Sequence, residues 1–194
     1  MDRPIFYHST MNGSKTANLL TSAHNYMRQG KKVMLFKPTL DTRAMGEIKS
    51  RAIKEGKEAY GIPPHDANFV SAKVIDEALN GAGKPDVVFI DEAQLLTVEQ
   101  IENVAHMAIE WGIKVFVYGL LIDFKGSMFP AAIKAIETGF DLKEFKMTCD
   151  NCSNEATNHQ LLIDGVPAYS GDTIHIGDEE YRSVCYQCFV QGIA

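Results

Sequence analysis

The sequence predicts an α/β fold: a parallel sheet with helices on both faces, followed by a small module at the C-terminal end. Two observations carry this. Four short, continuous apolar runs alternate with segments of helical period: Ile5-Phe6-Tyr7, Val33-Met34-Leu35-Phe36, Val87-Val88-Phe89-Ile90 and Val115-Phe116-Val117-Tyr118. Strands buried on both faces read in this way, and such strands belong to parallel sheets. Beyond the last of these runs stand the chain's four cysteines, in two pairs, Cys149-Asp150-Asn151-Cys152 and Cys185-Tyr186-Gln187-Cys188.

With 194 residues, 45% of them hydrophobic and 23% charged, the chain can bury a core as one domain with a small appendage. Its apolar runs fall far short of the roughly 20 residues that span a bilayer. Met1-Asp2-Arg3-Pro4 leads straight into a strand-like run, without the basic and apolar stretches of a secretory signal. A cytoplasmic protein, with no membrane partner, is therefore expected.

The elements follow in order. Lys15 to Arg28 reads as a helix, with Ala17, Leu19, Leu20, Ala23 and Tyr26 at near-helical spacing and Gly30 ending it. Pro38 stops the second strand. Gly46 to Pro64, rich in charge and glycine, reads as a mobile loop with some helix. Val74 to Leu79 fits a short helix, Val98 to Trp111 a longer one, and Pro130 to Glu137 another. Ligands of such sheets sit beyond the C-terminal strand ends. The loop after Tyr7, the Asp91-Glu92 pair and the segment after Tyr118 then share one rim.

Ser9-Thr10-Met11-Asn12-Gly13-Ser14-Lys15-Thr16 lies between a strand and a helix. The usual phosphate loop reads G-x-x-x-x-G-K-[ST]. Lys15 and Thr16 fit it, serines occupy both glycine positions, and Gly13 lies one place early. The parts needed are present: backbone N–H groups, a helix N-terminus, a lysine for phosphate and a hydroxyl for Mg²⁺. The alternative is an ordinary strand–helix turn with a surface lysine. Asp91, after four apolar strand residues, is placed to hold Mg²⁺, and Glu92 to take a proton from an attacking hydroxyl. The alternative there is an acidic pair at a helix entry.

The C-x₂-C…C-x₂-C spacing, with 32 residues between the pairs, suits tetrahedral zinc. Two disulfides or four inert thiols are the alternative. From Lys146 to Ala194 there are two basic and seven acidic residues. A module that grips nucleic acid needs a basic face, so the metal is expected to be structural, with no nucleic-acid partner.

These residues resemble the zinc-bearing thymidine kinases of bacteria, large DNA phages and animal cytosol, closest to the bacterial and phage branch. The resemblance runs from Phe6 to Cys188. Ser-x-Met-Asn-x-x-Lys-[ST] resembles that branch's phosphate loop. Asp91-Glu92-Ala93-Gln94-Leu95 resembles the family's D-E-[AGC]-Q-F block. Tyr118-Gly119-Leu120-x-x-Asp123-Phe124-x-Gly126-x-x-Phe129 resembles its Y-G-L-x-T-D-F-x-G-x-x-F block. Ile176-Gly177-x-x-x-Tyr181-x-x-x-Cys185 resembles the segment entering the second zinc pair, and Asp41-Thr42-Arg43 a D-x-R block.

The resemblance implies a P-loop (RecA-like) nucleotide-binding domain over residues 1–145. It implies a zinc-ribbon-like domain over 146–194, carrying a lasso loop that closes over the nucleoside. The implied reaction is phosphorylation of the 5′-hydroxyl of thymidine by Mg-ATP, with deoxyuridine a further substrate. Ser9, Thr10, Met11, Asn12, Gly13, Ser14, Lys15, Thr16, Asp91 and Gln94 would bind ATP, with Thr16 and Asp91 on Mg²⁺. Glu92 would be the base, and Arg43 would offset charge on the phosphoryl group; a surface ion pair is the alternative for Arg43. Met11, Asp41, Leu95, Leu120, Phe124, Phe129, Ile176 and Tyr181 would receive the nucleoside, with core packing the alternative for the apolar ones. Cys149, Cys152, Cys185 and Cys188 would hold zinc and anchor the lasso. A homotetramer is implied, with a dimer as the smaller alternative. Three residues depart from the family pattern: Ser14 for glycine, Leu95 for phenylalanine and Ile122 for threonine. Because of Ser14, a nucleotide-binding protein with impaired catalysis is the alternative to an active kinase.

Overall fold

Six parallel strands form one sheet whose C-terminal ends make the rim that matters for function. The structure, a computed structural model, describes residues 3–43, 46–50, 53–64, 66–172 and 180–193. In chain order its elements begin with β1 (Ile5–His8), α1 (Lys15–Arg28), β2 (Val33–Pro38), β3 (Glu47–Ser50), β4 (Ile53–Glu58) and β5 (Tyr60–Ile62). They continue with α2 (Phe69–Glu77), β6 (Val87–Ile90), α3 (Val98–Trp111), β7 (Lys114–Gly119), α4 (Pro130–Glu137) and β8 (Asp141–Glu144). The C-terminal part holds β9 (Met147–Thr148), β10 (Glu155–Ala156), β11 (Asn158–Ile163), β12 (Val166–Ala168), β13 (Glu180–Val184) and α5 (Tyr186–Gln191). The main sheet runs β5-β2-β6-β7-β1-β8.

Alternation along each strand assigns its side chains to two cores. Leu35, Val87, Phe89, Phe116 and Tyr118 face α1, meeting Leu19, Leu20 and Ala23. Met34, Phe36, Val88, Ile90, Val115 and Val117 face the other way, against α2, α3 and α4 through Val70, Val74, Ile101, Val104 and Ala135. Helices therefore cover both faces, as the continuous apolar runs require. A capping box starts α3: Gln100 N donates to Thr97 Oγ1 (3.1 Å), and Thr97 N donates to Gln100 Oε1 (3.0 Å).

Two segments differ from expectation. The described residues of 46–64 form strands where a loop with some helix was expected: β3 and β4 pair antiparallel, and β5 pairs in parallel with β2 at the sheet edge. Burial of Ile48 against the α1 side and of Ile62 beneath the sheet outweighs the polar composition. The helix expected from Val74 to Leu79 starts earlier, at Phe69, because Val70 and Val74, four residues apart, both bury. It then opens into a wide turn over Ala78–Ala82, where Gly81 takes φ +76.

Beyond β8, β9 pairs with β10, and β11 lies between β12 and β13. Asp164 (φ +51) and Gly165 (φ +77) form the two-residue turn between β11 and β12, a hairpin of the type that Asp-Gly favours. No helix among the described residues is long and apolar enough to cross a membrane.

Candidate active site

The phosphate loop turns from β1 into α1 at the rim. Asn12 and Ser14 both take left-handed backbone, φ +61 and +58. Gly13 is needed for a different reason: a Cβ there would lie 2.0 Å from Ser9 Oγ and 2.6 Å from Ser9 Cβ. Ser9 fills the inside of the turn, and the glycine one place early makes room for it. Lys15 Nζ donates to Ser9 Oγ (3.1 Å) and to Thr10 O (2.8 Å). Burial pushes the Lys15 ammonium down to about 8, although Glu92 and Asp91 pull the other way.

Asp91 follows the last residue of β6. Its carboxylate accepts from Thr16 Oγ1 at 3.0 Å, linking strand end to helix start. Burial, then the Glu92 charge, pushes Asp91 up to about 7. Glu92 sits in left-handed backbone, φ +51. Its Oε1 accepts from Arg43 Nη2 and its Oε2 from Gln94 Nε2, both at 2.6 Å. Arg43 Nε also donates to Asp41 Oδ1 (2.8 Å), and Lys37 Nζ lies 2.9 Å from Asp41 Oδ2. Burial opposes the charge on Arg43, but Glu92 and Asp41 outweigh it and raise its pKa. At the other end, Gln94 Oε1 accepts from Leu120 N (3.1 Å). Gly119 permits this, since a Cβ there would lie 2.7 Å from Gln94 Oε1.

One polar chain thus runs Lys37–Asp41–Arg43–Glu92–Gln94–Leu120 across three strand ends. It holds Glu92 at the rim beside Asp91, Thr16 and Lys15. Among the apolar candidates, Leu120 and Phe129 are buried together and Met11 packs against them. Leu95 lies in the short turn after Glu92, 9% exposed, and Phe124 is 1% exposed. Tyr181, half-buried on β13, stands edge-on to His159 with centroids 5.9 Å apart. Ile176 lies outside the described residues.

The four cysteine Sγ atoms all lie within 4.8 Å of one another. Cys152 Sγ is 3.7 Å from Cys185 Sγ and 3.9 Å from Cys188 Sγ. A tetrahedron with metal–sulfur bonds of about 2.3 Å has edges of about 3.8 Å, while a disulfide needs about 2.05 Å. The spacing fits a four-thiolate metal and excludes disulfides in this arrangement. The Cys188 N–H, 3.5 Å from Cys185 Sγ, leads in pulling the Cys185 thiol down to about 7, while burial, then the neighbouring thiols, push Cys188 up to about 12, so the four thiols do not ionise alike in the absence of a shared cation.

Three residues gave no sequence signal. Lys37, buried in β2, anchors Asp41. Ser183 on β13 bonds to the phosphate loop. His159, 2% exposed, is pushed down to about 3 by burial and is therefore neutral, and its Nδ1 has no partner among the described residues. It lines a cavity of about 120 Å³ with His8, Ser9, Thr10 and Glu144, room for a few waters. His159 stands in the polar run Asn158-His159-Gln160, which reads as exposed in sequence although all three residues are buried on β11, so sequence alone would not find it.

A lysine and a threonine at the head of α1, set against a strand-end aspartate at the rim of a parallel sheet, make this a phosphate-loop α/β protein. A family model described as thymidine kinase matches residues 4–189, and the chain belongs to that family. The thymidine kinase of Enterobacteria phage T4 is 35% identical over 188 residues, covering 93% of this chain and 92% of that one. The thymidine kinase of Lactococcus lactis is 36% identical over 187 residues, covering 95% of each. Among solved structures, AMPPCP-bound DnaA from Aquifex aeolicus aligns with a TM-score of 0.42 and 13% identity, over 75% of this chain and 40% of that one. That likeness is too remote to carry an argument.

Proposed function

We propose that this chain transfers the γ-phosphoryl group of ATP to the 5′-hydroxyl of thymidine, with deoxyuridine as a second substrate. Family membership over residues 4–189 supports the reaction class. The observation that carries the chemistry is Glu92, held by two 2.6 Å hydrogen bonds beside the Asp91–Thr16 pair.

On this reading ATP lays its phosphates along Ser9–Thr16, where the loop N–H groups and the N-terminus of α1 favour anions. Lys15 exchanges its bonds to Ser9 and Thr10 for oxygens of the β- and γ-phosphates. Thr16 and Asp91 would hold Mg²⁺, which neutralises charge on those phosphates. Asp91 ionises fully once a cation offsets its burial. Glu92 takes the proton of the 5′-hydroxyl. The freed oxygen bonds to the γ-phosphorus as the bond to the β–γ bridging oxygen breaks, and the electron pair leaves on ADP. Each Glu92 oxygen accepts one hydrogen bond and keeps a second lone pair for the proton of the 5′-hydroxyl. Arg43, beside Glu92, would offset the charge that gathers on the phosphoryl oxygens.

Met11, Leu120 and Phe129 offer one apolar wall for the pyrimidine, extended by Leu95, Phe124, Ile176 and Tyr181, and Asp41 orients Arg43. The four cysteines would bind zinc, which fixes the ends of the lasso over residues 153–184. Residues 146–194 would then act as a lid domain on the nucleotide domain of residues 1–145. Cytoplasmic location and homotetrameric assembly belong to the same proposal. Light scattering would give about four times the 21.5 kDa of one chain. The function is tested by incubating zinc-loaded protein with Mg-ATP and thymidine. Thymidine 5′-monophosphate and ADP are expected in equal amounts, and neither from a folded, zinc-loaded chain would refute it.

A further inference from the structure

We infer that Ser183 is a positioning residue through which the four-thiol centre sets the shape of the phosphate loop. The inference rests on the function proposed above and adds a route by which the metal module bears on ATP. A loop that aims its N–H groups at phosphate must turn its carbonyls elsewhere, and a buried carbonyl needs a donor there. Ser183 Oγ donates to Met11 O at 2.7 Å and accepts from Thr10 Oγ1 at 2.9 Å. Both Ser183 and Thr10 are buried, at 2% and 6% exposure.

Ser183 is itself clamped from the other side. Its N–H donates to Asp150 Oδ2 (2.7 Å), and its carbonyl accepts from Asp150 N (2.8 Å). Asp150 lies inside the first cysteine pair, between Cys149 and Cys152. The path from thiol centre to phosphate loop is therefore one residue thick at each step.

The bonds that Lys15 makes to Ser9 and Thr10 are of a different kind. They use the ammonium that a bound phosphate would claim, so they lapse when nucleotide arrives. The Ser183 bonds use a carbonyl and a hydroxyl that point toward β13, and they survive ligand binding. The loop then keeps its shape only while the C-terminal module holds Ser183 in place. With the metal gone, the Asp150 segment loses its fixed geometry and the loop loses its outer support.

The test compares the zinc-loaded full chain with Ser183→Ala and Ser183→Thr. Binding of a non-hydrolysable ATP analogue with Mg²⁺ is measured by calorimetry, thymidine binding separately, zinc by metal analysis, and loop order by amide hydrogen exchange over residues 9–14. Ser183→Ala should weaken the analogue about 5- to 10-fold, the effect of losing a buried hydrogen-bond pair. Zinc content should stay within about twofold, thymidine affinity should fall less than that of the analogue because only Met11 of its wall lies on the loop, loop exchange should rise, and Ser183→Thr should restore analogue binding and loop exchange. Chelation should weaken the analogue in the parent and add nothing further in Ser183→Ala. Parent-like analogue binding and loop exchange in Ser183→Ala would overturn the inference. So would equal losses of analogue, thymidine and zinc, which mean a general structural role. A parent that binds neither ATP nor thymidine would sink the proposed function instead, and loop exchange in the parent against Ser183→Ala would still decide the coupling.

Discussion

Ser14 holds φ +58 and ψ 14, a backbone that glycine adopts freely and serine at a cost of about 1 kcal/mol. Replacing it with glycine should therefore stabilise the ligand-free protein by about that amount, read in a denaturant melt, and change the rate of phosphoryl transfer less than about threefold. A gain of a hundredfold in rate would mean instead that serine impairs catalysis. Gly13 is the stricter position, because Ser9 already occupies the space its Cβ would need. Gly13→Ala should cost about 1–3 kcal/mol. Adding Ser9→Gly should recover much of that, an interaction that a double-mutant cycle measures directly.

Asp91 supplies the pH dependence. Its folded pKa is raised from 3.8 to about 7, so the folded chain keeps a proton that the unfolded chain releases between those values. Stability from this group is complete below pH 3.8 and lost as pH rises through about 7. Asp91→Asn cannot ionise, so the variant should exceed the parent by up to about 4 kcal/mol at pH 8, at about 1.36 kcal/mol for each pH unit between 3.8 and about 7. Urea melts at two pH values check this, since the gap should shrink toward zero near pH 4. A gap of the same size at both would show that the carboxylate is not held protonated.

At the scale of elements, the cysteine knuckles and the phosphate loop show which local structures a sequence can announce. The C-x₂-C pairs were legible because their spacing suits a tetrahedral metal, and the four sulfurs do lie within 4.8 Å of one another. At Asp164-Gly165 residue type and backbone agree, since both positions take positive φ, which these residue types tolerate. The pairing of β3 with β4 was not legible, because the segment is charged and, among its described side chains, only Ile48 is buried. Strand β8 was missed for a similar reason. It is an edge strand whose sequence Asp-Leu-Lys-Glu offers one apolar residue, itself 37% exposed. If the four thiols hold zinc as proposed, chelation should act on the C-terminal elements first. Limited proteolysis after chelation should cut between residues 153 and 172 while the six-stranded core stays intact. Cleavage in the core at the same rate would show that the metal supports the whole molecule.

For the whole molecule, the decisive fact is the order of strands. Placing β6, β7 and β1 side by side brings the loop after His8, the Asp91-Glu92 pair and the segment after Gly119 to one rim. The continuous apolar runs implied a parallel sheet, and the rule that ligands lie beyond strand ends gathered these three segments. Pairwise contacts such as Arg43–Glu92 and Gln94–Leu120 span 49 and 26 residues of chain. No periodicity reports a contact at that separation, so the polar chain that holds Glu92 emerged only in three dimensions. The same holds for Ser183, which reaches Thr10 across 173 residues.

Phosphoryl transfer to thymidine, as proposed, turns on Glu92 as the base. The most direct measurement is single-turnover formation of thymidine 5′-monophosphate from Mg-ATP, for the zinc-loaded parent beside Glu92→Gln. Product from the parent is expected, with the variant slower by about 10²-fold or more while its thymidine affinity is retained. A variant that turns over as fast as the parent would contradict the account.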